Sequence, residues 1–368
     1  MTSTGQSRVV SIDALRGFDM FWIIGADSLV SALRKINDSG IVRAIAEQLE
    51  HVPWEGFHFY DLIFPLFVFL VGVSAVFSLD RVVQTHGRAA AIRRVVRRSV
   101  LLVLLGIFYY GALQRDGGPE MFRYVGVLQR IGICYFAAGL MYIWLRPRSL
   151  VVCCAVLLIG YWAAMTFVPV PGMSGGRFDE GQNLANYVDR HYLPGYKWDG
   201  DWDPEGLMST IPAVATALLG VFAGLFIRNE KWSHSKRLMA LVAIGVCCLL
   251  AGWAWSWQFP IIKKIWTSSY VLVAGGWSYL LVALFYFVID VCKLELWSRP
   301  FVWIGMNAIT IYMLTNLIDL NQLIRRVIHR PMLTAIEPYG ELLITSLALL
   351  LAVGICYFLY RRRIFLRV

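Results

Sequence analysis

Charge is scarce in this chain. Asp, Glu, Lys and Arg make up 16% of its 368 residues, where soluble domains carry roughly a quarter. That shortfall excludes an ordinary water-soluble globule. Other absences narrow the chemistry. The six histidines form no HExxH string and no His-rich tract, and the glycines form no phosphate-cradling loop; no metal is expected. All seven cysteines (134, 153, 154, 247, 248, 292 and 356) fall in or at the ends of apolar runs, which excludes a disulfide framework. The opening MTSTGQSRVVSIDALRG has no signal-peptide layout, so the first apolar run is expected to stay attached as a helix.

What is present is hydrocarbon. Apolar residues reach 58% and mean hydropathy is +0.61. Runs near 20 residues recur, each long enough to cross a bilayer core of about 30 Å. They fall at 14–33, 60–79, 100–113, 125–145, 149–167, 207–227, 238–257, 270–291, 301–318 and 341–360. The third is short and the ninth carries Asn307, so the pattern predicts about ten spans, or eleven. The fold class is all-α, a polytopic transmembrane bundle forming one domain over residues 1–368.

Lys and Arg concentrate in alternate loops, notably Arg88 to Arg98, Arg228 to Arg237 and Arg361 to Arg367. By the positive-inside rule both termini are cytoplasmic and the 34–59 loop faces outward. The net charge of +10 follows from this bias and calls for no nucleic acid. The longest loop, 168–206, is expected to be an ordered non-cytoplasmic segment with a short helix over 182–191. Its acids are Asp179, Glu180, Asp189, Asp199, Asp201, Asp203 and Glu205.

Polar groups at the membrane edge cost free energy and so mark candidate sites. The stretch EHVPWEGFHFYDLIFP puts His51, Trp54, His58 and Asp61 at the mouth of the second run. An imidazole can act as a general base at neutral pH; the alternative is an interfacial histidine beside an aromatic belt. Asp61 reads as an N-cap acid or a site carboxylate. In the first run, Asp13 and Arg16 are spaced to pair with each other. Asp19 and Asp27 share a helix face about 12 Å apart, and Asp27, near the outer end, can orient an imidazole or bind a cation. Gln129 and Arg130 open the fourth run, where a buried Arg calls for a carboxylate. Asn307 suits an interhelical hydrogen bond.

Several strings, in order along the chain, resemble the heparan-α-glucosaminide N-acetyltransferase family, including its bacterial members. They are SIDALRGFDMFWI, HVPWEGFHFYDLIFPLFVFLVG, GVLQRIGICYF, DPEGLMSTIPAVATALLGVFAG, KKIWTSSYVL and IGMNAITIYM. The resemblance implies acetyl transfer from cytosolic acetyl-CoA to a glucosamine amine across the membrane. It also implies a homodimer and, for a bacterial member, an inner-membrane location with the site toward the periplasm. The family's active-site histidine falls on His51, with Asp27 and Asp61 as candidate catalytic partners. Asp27 stands where the lysosomal enzyme has asparagine, and Thr315 where it has a further histidine. Asp203, Glu205, Gln129, Arg130, Trp54 and Asn307 become candidates for the acceptor side. Arg16, Arg93, Arg94, Arg97 and Ser268 become candidates for acetyl-CoA, although the arginine row also reads as ordinary inner-face charge. Gln129, Arg130, Asn307 and Ser268 are the candidate oxyanion donors. A sugar or amino-sugar transporter and an O-acyltransferase of envelope polysaccharide are the alternative functions.

Overall fold

A computed structural model describes residues 9–37, 39–111, 122–172, 175–328, 333 and 336–366. Among these the ordered elements are helices, joined by loops that hold two isolated β-bridges and no strand. Seven of the described helices are long and apolar enough to cross a membrane: Phe59–Tyr110, Val127–Trp144, Pro147–Phe167, Thr210–Arg228, His234–Trp255, Ser268–Val291 and Gly340–Arg361. The runs that do not appear as separate long helices differ for local reasons. The 14–33 run is interrupted by a π-helical turn at Trp22–Ala26. The 301–318 run is broken at Asn307. The 60–79 and 100–113 runs belong to one helical element, because the arginine-rich segment between them is itself helical. Residues 112 and 113, the predicted end of the third run, lie outside the described residues, as do Arg8 and Arg367.

The chain forms two compact units. One comprises residues 1–50 and 281–367, the other residues 51–280. The first holds α1 (Val10–Phe21), α2 (Asp27–Ile36) and α3 (Gly40–Gln48), then α11 (Arg299–Met306), α12 (Ala308–Leu317), α13 (Leu320–Val327) and α14 (Gly340–Arg361). Asp13 and Arg16 form the expected pair at 3.3 Å. Asn307 leaves helical geometry, and its amide donates to the Trp303 carbonyl at 3.2 Å, within its own segment.

The second unit is organised by α4 (Phe59–Gly111), α5 (Val127–Trp144) and α8 (Thr210–Arg228), with α6 (Pro147–Phe167), α7 (Leu184–Tyr192), α9 (His234–Trp255) and α10 (Ser268–Phe285) around them. As one straight rod, the 53 residues of α4 would run about 80 Å, far beyond a bilayer core of about 30 Å. Gly87 breaks it, at φ +81°, a left-handed conformation natural to glycine. The neighbours show that the second arm doubles back. Gly106 lies against Gln129 near the start of α5, and Gly132 lies against Ser99. Gly139 lies against Val95 and Leu79, and Tyr142 donates to Asp80 at 2.8 Å. Asp61 and Asp80 therefore mark opposite ends of the first arm, about 28 Å apart.

The first arm also crosses α8 at close range. A Cβ on Gly72 would meet the Ala217 carbonyl oxygen at 2.0 Å, and one on Gly220 the Phe69 carbonyl oxygen at 1.9 Å. Such small-residue contacts bring helix backbones together where lipid gives no hydrophobic drive. Leu66, Val68, Phe69, Leu70 and Val73 are accordingly buried. In contrast α6 and α9 expose Val151, Val152, Val156, Met239 and Leu250, an apolar face suited to lipid.

Candidate active site

Three loops of the second unit meet at the Asp61 end of α4. The 51–58 loop docks on the loop before α10 through a bridge between Glu55 and Ile262 and the Gly56 N–H to the Ile261 carbonyl at 2.9 Å. The Trp54 indole donates to the Phe178 carbonyl at 2.9 Å and sits edge-on to Trp202 at 5.7 Å. Trp54 thereby ties the 51–58 loop to the 168–206 loop, whose α7 confirms the short helix read from its sequence.

Asp61 lies in the first turn of α4, where a negative charge complements the helix dipole. One carboxylate oxygen accepts from the His58 N–H at 3.0 Å and the Val52 N–H at 3.3 Å. The other stands 2.8 Å from His51 Nδ1. Asp61 is 1% exposed and His51 51%. A buried carboxylate with filled acceptors thus holds one edge of a half-exposed imidazole. With Nδ1–H donating to Asp61, Nε2 carries the lone pair, the tautomer a general base needs. The carboxylate on the imidazole is Asp61. Asp27, in the first unit, accepts from the neighbouring Ser28 hydroxyl at 3.4 Å.

Lys263 completes the cluster. Its Nζ lies 2.9 Å from His51 Nδ1, 3.2 Å from Nε2 and 3.4 Å from Asp61 Oδ1. Burial lowers its pKa below the ordinary lysine value, against the opposing pull of Asp61 and Glu205. Spacing along the chain gave no sign of this residue, which is 212 positions from His51. Only its place in the KKIWTSSYVL string, a cation beside aromatics just before a span, hinted at a role.

His51 and Lys263 border a cleft of about 330 Å³, lined also by Tyr110, Arg123, Trp198 and Glu205. Arg123, unremarked in the sequence, is buried there. It donates to both Asp203 oxygens at 2.7 and 2.8 Å and to Glu205, between the Tyr110 and Trp198 rings. Burial opposes its charge, but Asp203 and Glu205 outweigh that and raise its pKa above the usual value.

The remaining loop acids are also engaged. Lys264 reaches Asp199 at 3.0 Å and Glu180 at 3.3 Å; burial opposes its charge, but these two acids raise its pKa. Asp201 pairs with Arg190, and Asp179 with Arg177 at 3.5 Å. Asp189 accepts from the Leu207 N–H at 2.9 Å and the Asp203 N–H at 3.4 Å, and burial pushes it up to about 6. The acid-rich loop is held together by its own acids.

Other candidates have local duties. Arg130 was expected to need a carboxylate, yet its guanidinium donates to the Pro204 carbonyl at 3.1 Å and to Ser209, with Trp266 beneath it at 4.8 Å. Oxygen dipoles engage Nη2 and a ring face covers the group, while Nε and Nη1 have no partner among the described residues. The Gln129 amide donates to the Arg123 carbonyl at 3.3 Å. The Ser268 hydroxyl, fully buried, donates to the Leu158 carbonyl at 2.7 Å. Arg93, Arg94 and Arg97 are exposed on the second arm of α4, beyond Gly87 and at the end away from the cleft.

The family model described as heparan-alpha-glucosaminide N-acetyltransferase, catalytic, matches residues 8–256. The chain is 29% identical to the heparan-alpha-glucosaminide N-acetyltransferase of Mus musculus and 28% identical to that of Homo sapiens. Each match covers 72% of this chain and 48% of the relative, so the chain spans about half the length of the curated relatives it matches. His51, Asp61, Arg123, Asp203 and Glu205 all lie inside the matched region. With that match over more than half of its length, the chain belongs to the heparan-alpha-glucosaminide N-acetyltransferase catalytic family.

Proposed function

We propose that this protein transfers acetyl from acetyl-CoA to the amine of glucosamine or of a terminal glucosaminide, with His51 as the base. The observation that carries the reading is the half-open imidazole clamped by buried Asp61 at the wall of a cleft. Attack on a thioester needs a neutral amine. Nε2 takes the amine proton as the nitrogen bonds to the acetyl carbon, and the Asp61 carboxylate stabilises the imidazolium that forms. The proton then passes to the departing CoA sulfur. Positioned proton transfer of this kind contributes about 10²–10⁴ in rate.

The two ends of the first arm of α4 support donor and acceptor on opposite sides of a membrane. Asp61 stands at one end, and Arg93, Arg94 and Arg97 flank the other. Those arginines face solvent with charge that suits the phosphates of CoA. The positive-inside reading makes that end cytoplasmic and the cleft non-cytoplasmic, periplasmic in a bacterial member.

Purified protein in detergent, given labelled acetyl-CoA and glucosamine, should release free CoA thiol and labelled N-acetylglucosamine. His51→Ala should lower turnover by at least about 100-fold with its melting temperature nearly unchanged, since the ring is half exposed. Glucosamine uptake by proteoliposomes without thiol release would instead mark a carrier, and full turnover in His51→Ala would remove the imidazole from the chemistry.

A further inference from the structure

Acyl transfer passes through a tetrahedral adduct whose oxygen carries negative charge and needs hydrogen-bond donors. Three of the four donors read from the sequence already make a hydrogen bond, and Arg130 keeps Nε and Nη1 without a partner among the described residues. Ser268 donates to Leu158, Gln129 to Arg123 and Asn307 to Trp303. Among the cations around the cleft, Arg123 is held by Asp203 and Glu205 and Lys264 by Asp199 and Glu180. Arg130 lies buried with Trp266 across its face and does not line the cleft.

Lys263 is different. An ammonium has three N–H donors. His51 Nδ1, while it donates to Asp61, cannot also accept from Lys263. That leaves Nε2 at 3.2 Å and Asp61 Oδ1 at 3.4 Å as its acceptors. Two acceptors for three donors leave one N–H over. When an acceptor amine occupies Nε2, a second is released, beside the place where the new C–N bond forms.

Resting on the acetyltransferase reading above, the geometry points to Lys263 as the oxyanion donor of this site, a catalytic residue that touches the reacting carbonyl. The amine nitrogen bonds to the acetyl carbon, its proton goes to Nε2, and the carbonyl π pair becomes the oxyanion held by Nζ. Collapse reforms the carbonyl and breaks the C–S bond. The leaving thiolate takes the proton from Nε2–H, and the products are the acetamide and free CoA thiol. The oxygen, two bonds from a nitrogen that itself contacts Nε2, falls within reach of Nζ. The backbone around Lys263 favours this duty. The Trp266 and Thr267 N–H groups donate to the Lys263 and Ile262 carbonyls at 2.9 and 3.1 Å, so the loop carrying the ammonium is closed on itself.

The test measures kcat and KM for acetyl-CoA and glucosamine in the full-length protein. Lys263→Met should lower kcat about 10²–10³-fold and leave both KM values within about threefold. Lys263→Cys treated with 2-bromoethylamine regains an ammonium of nearly native length and should recover most of that loss. The same variant treated with iodoacetamide should not. Wild type is alkylated in parallel, because Cys247 and Cys292 are exposed. Lys263→Met turning over within about threefold of wild type would overturn the proposal while leaving the acetyltransferase reading intact. Equal recovery with both reagents would also overturn it, by showing that bulk rather than charge matters. If Lys263→Met fails to fold, the alkylated cysteine variant decides. A wild type that releases no thiol would remove both the proposal and the reading beneath it.

Discussion

Two charged clusters lie within one unit, and they are built on different terms. Around Arg123 the accounts are closed: a buried guanidinium meets Asp203 through two oxygens, Glu205 through a third, and aromatic rings on its faces. Around His51 they are open. Asp61 is as buried as Asp203, but it holds an imidazole that is half in solvent and a lysine with a donor to spare. Both clusters mix acids with cations. What separates a brace from the proposed reactive site here is incomplete satisfaction facing a cleft.

The sharpest break in that comparison is Asp61→Asn. An amide that keeps its oxygen toward the His58 and Val52 N–H groups turns its NH2 toward His51, which imposes the wrong tautomer on the ring. Turnover should fall about 10³–10⁴-fold, as expected when the orienting carboxylate of a base is neutralised, with thermal stability changed little. Arg123→Met should do the reverse. It leaves Asp203 and Glu205 buried without their cation, a loss of about 3–5 kcal/mol, read as a large drop in melting temperature. Residual folded protein should keep its turnover within about tenfold.

The smallest effect concerns Asp189, which braces the Asp203–Leu207 turn. Its carboxyl is raised from 3.8 to about 6 by burial, so the native state holds a proton that the unfolded chain has lost in this window. The associated stability is full below pH 3.8, declines as pH rises and is gone above about 6, at most about 3 kcal/mol. Asp189→Asn cannot titrate. The melting temperature of wild type should therefore fall relative to that variant between pH 4 and pH 7; a constant difference would show that Asp189 is ionised throughout.

Legibility followed sequence distance. The long apolar runs at 125–145, 149–167, 207–227, 238–257, 270–291 and 341–360 correspond to helices displaced by a few residues, because lipid-compatible length is a strong signal. The segment between 80 and 99 reads as a loop by charge, yet alanine and arginine are good helix formers and it stays helical apart from Gly87. His51 and Asp61 are ten residues apart in one quoted stretch, so their meeting could be anticipated. Lys263 arrives from a remote loop, and no pattern near His51 announces it. Arg130 misled because composition shows charge but not backbone carbonyls, which engage its Nη2 here instead of a carboxylate.

The doubled-back α4 has a mechanical consequence. Its first arm begins with the carboxylate that orients the imidazole and leads to the Gly87 break, just before the arginine row, so the length of that arm is counted in helical residues. Inserting one turn of four residues into that arm would lengthen it by about 6 Å while leaving either terminus chemically untouched. Under the proposed arrangement the helix serves as a ruler between the two compartments, and its graduations are single amino acids.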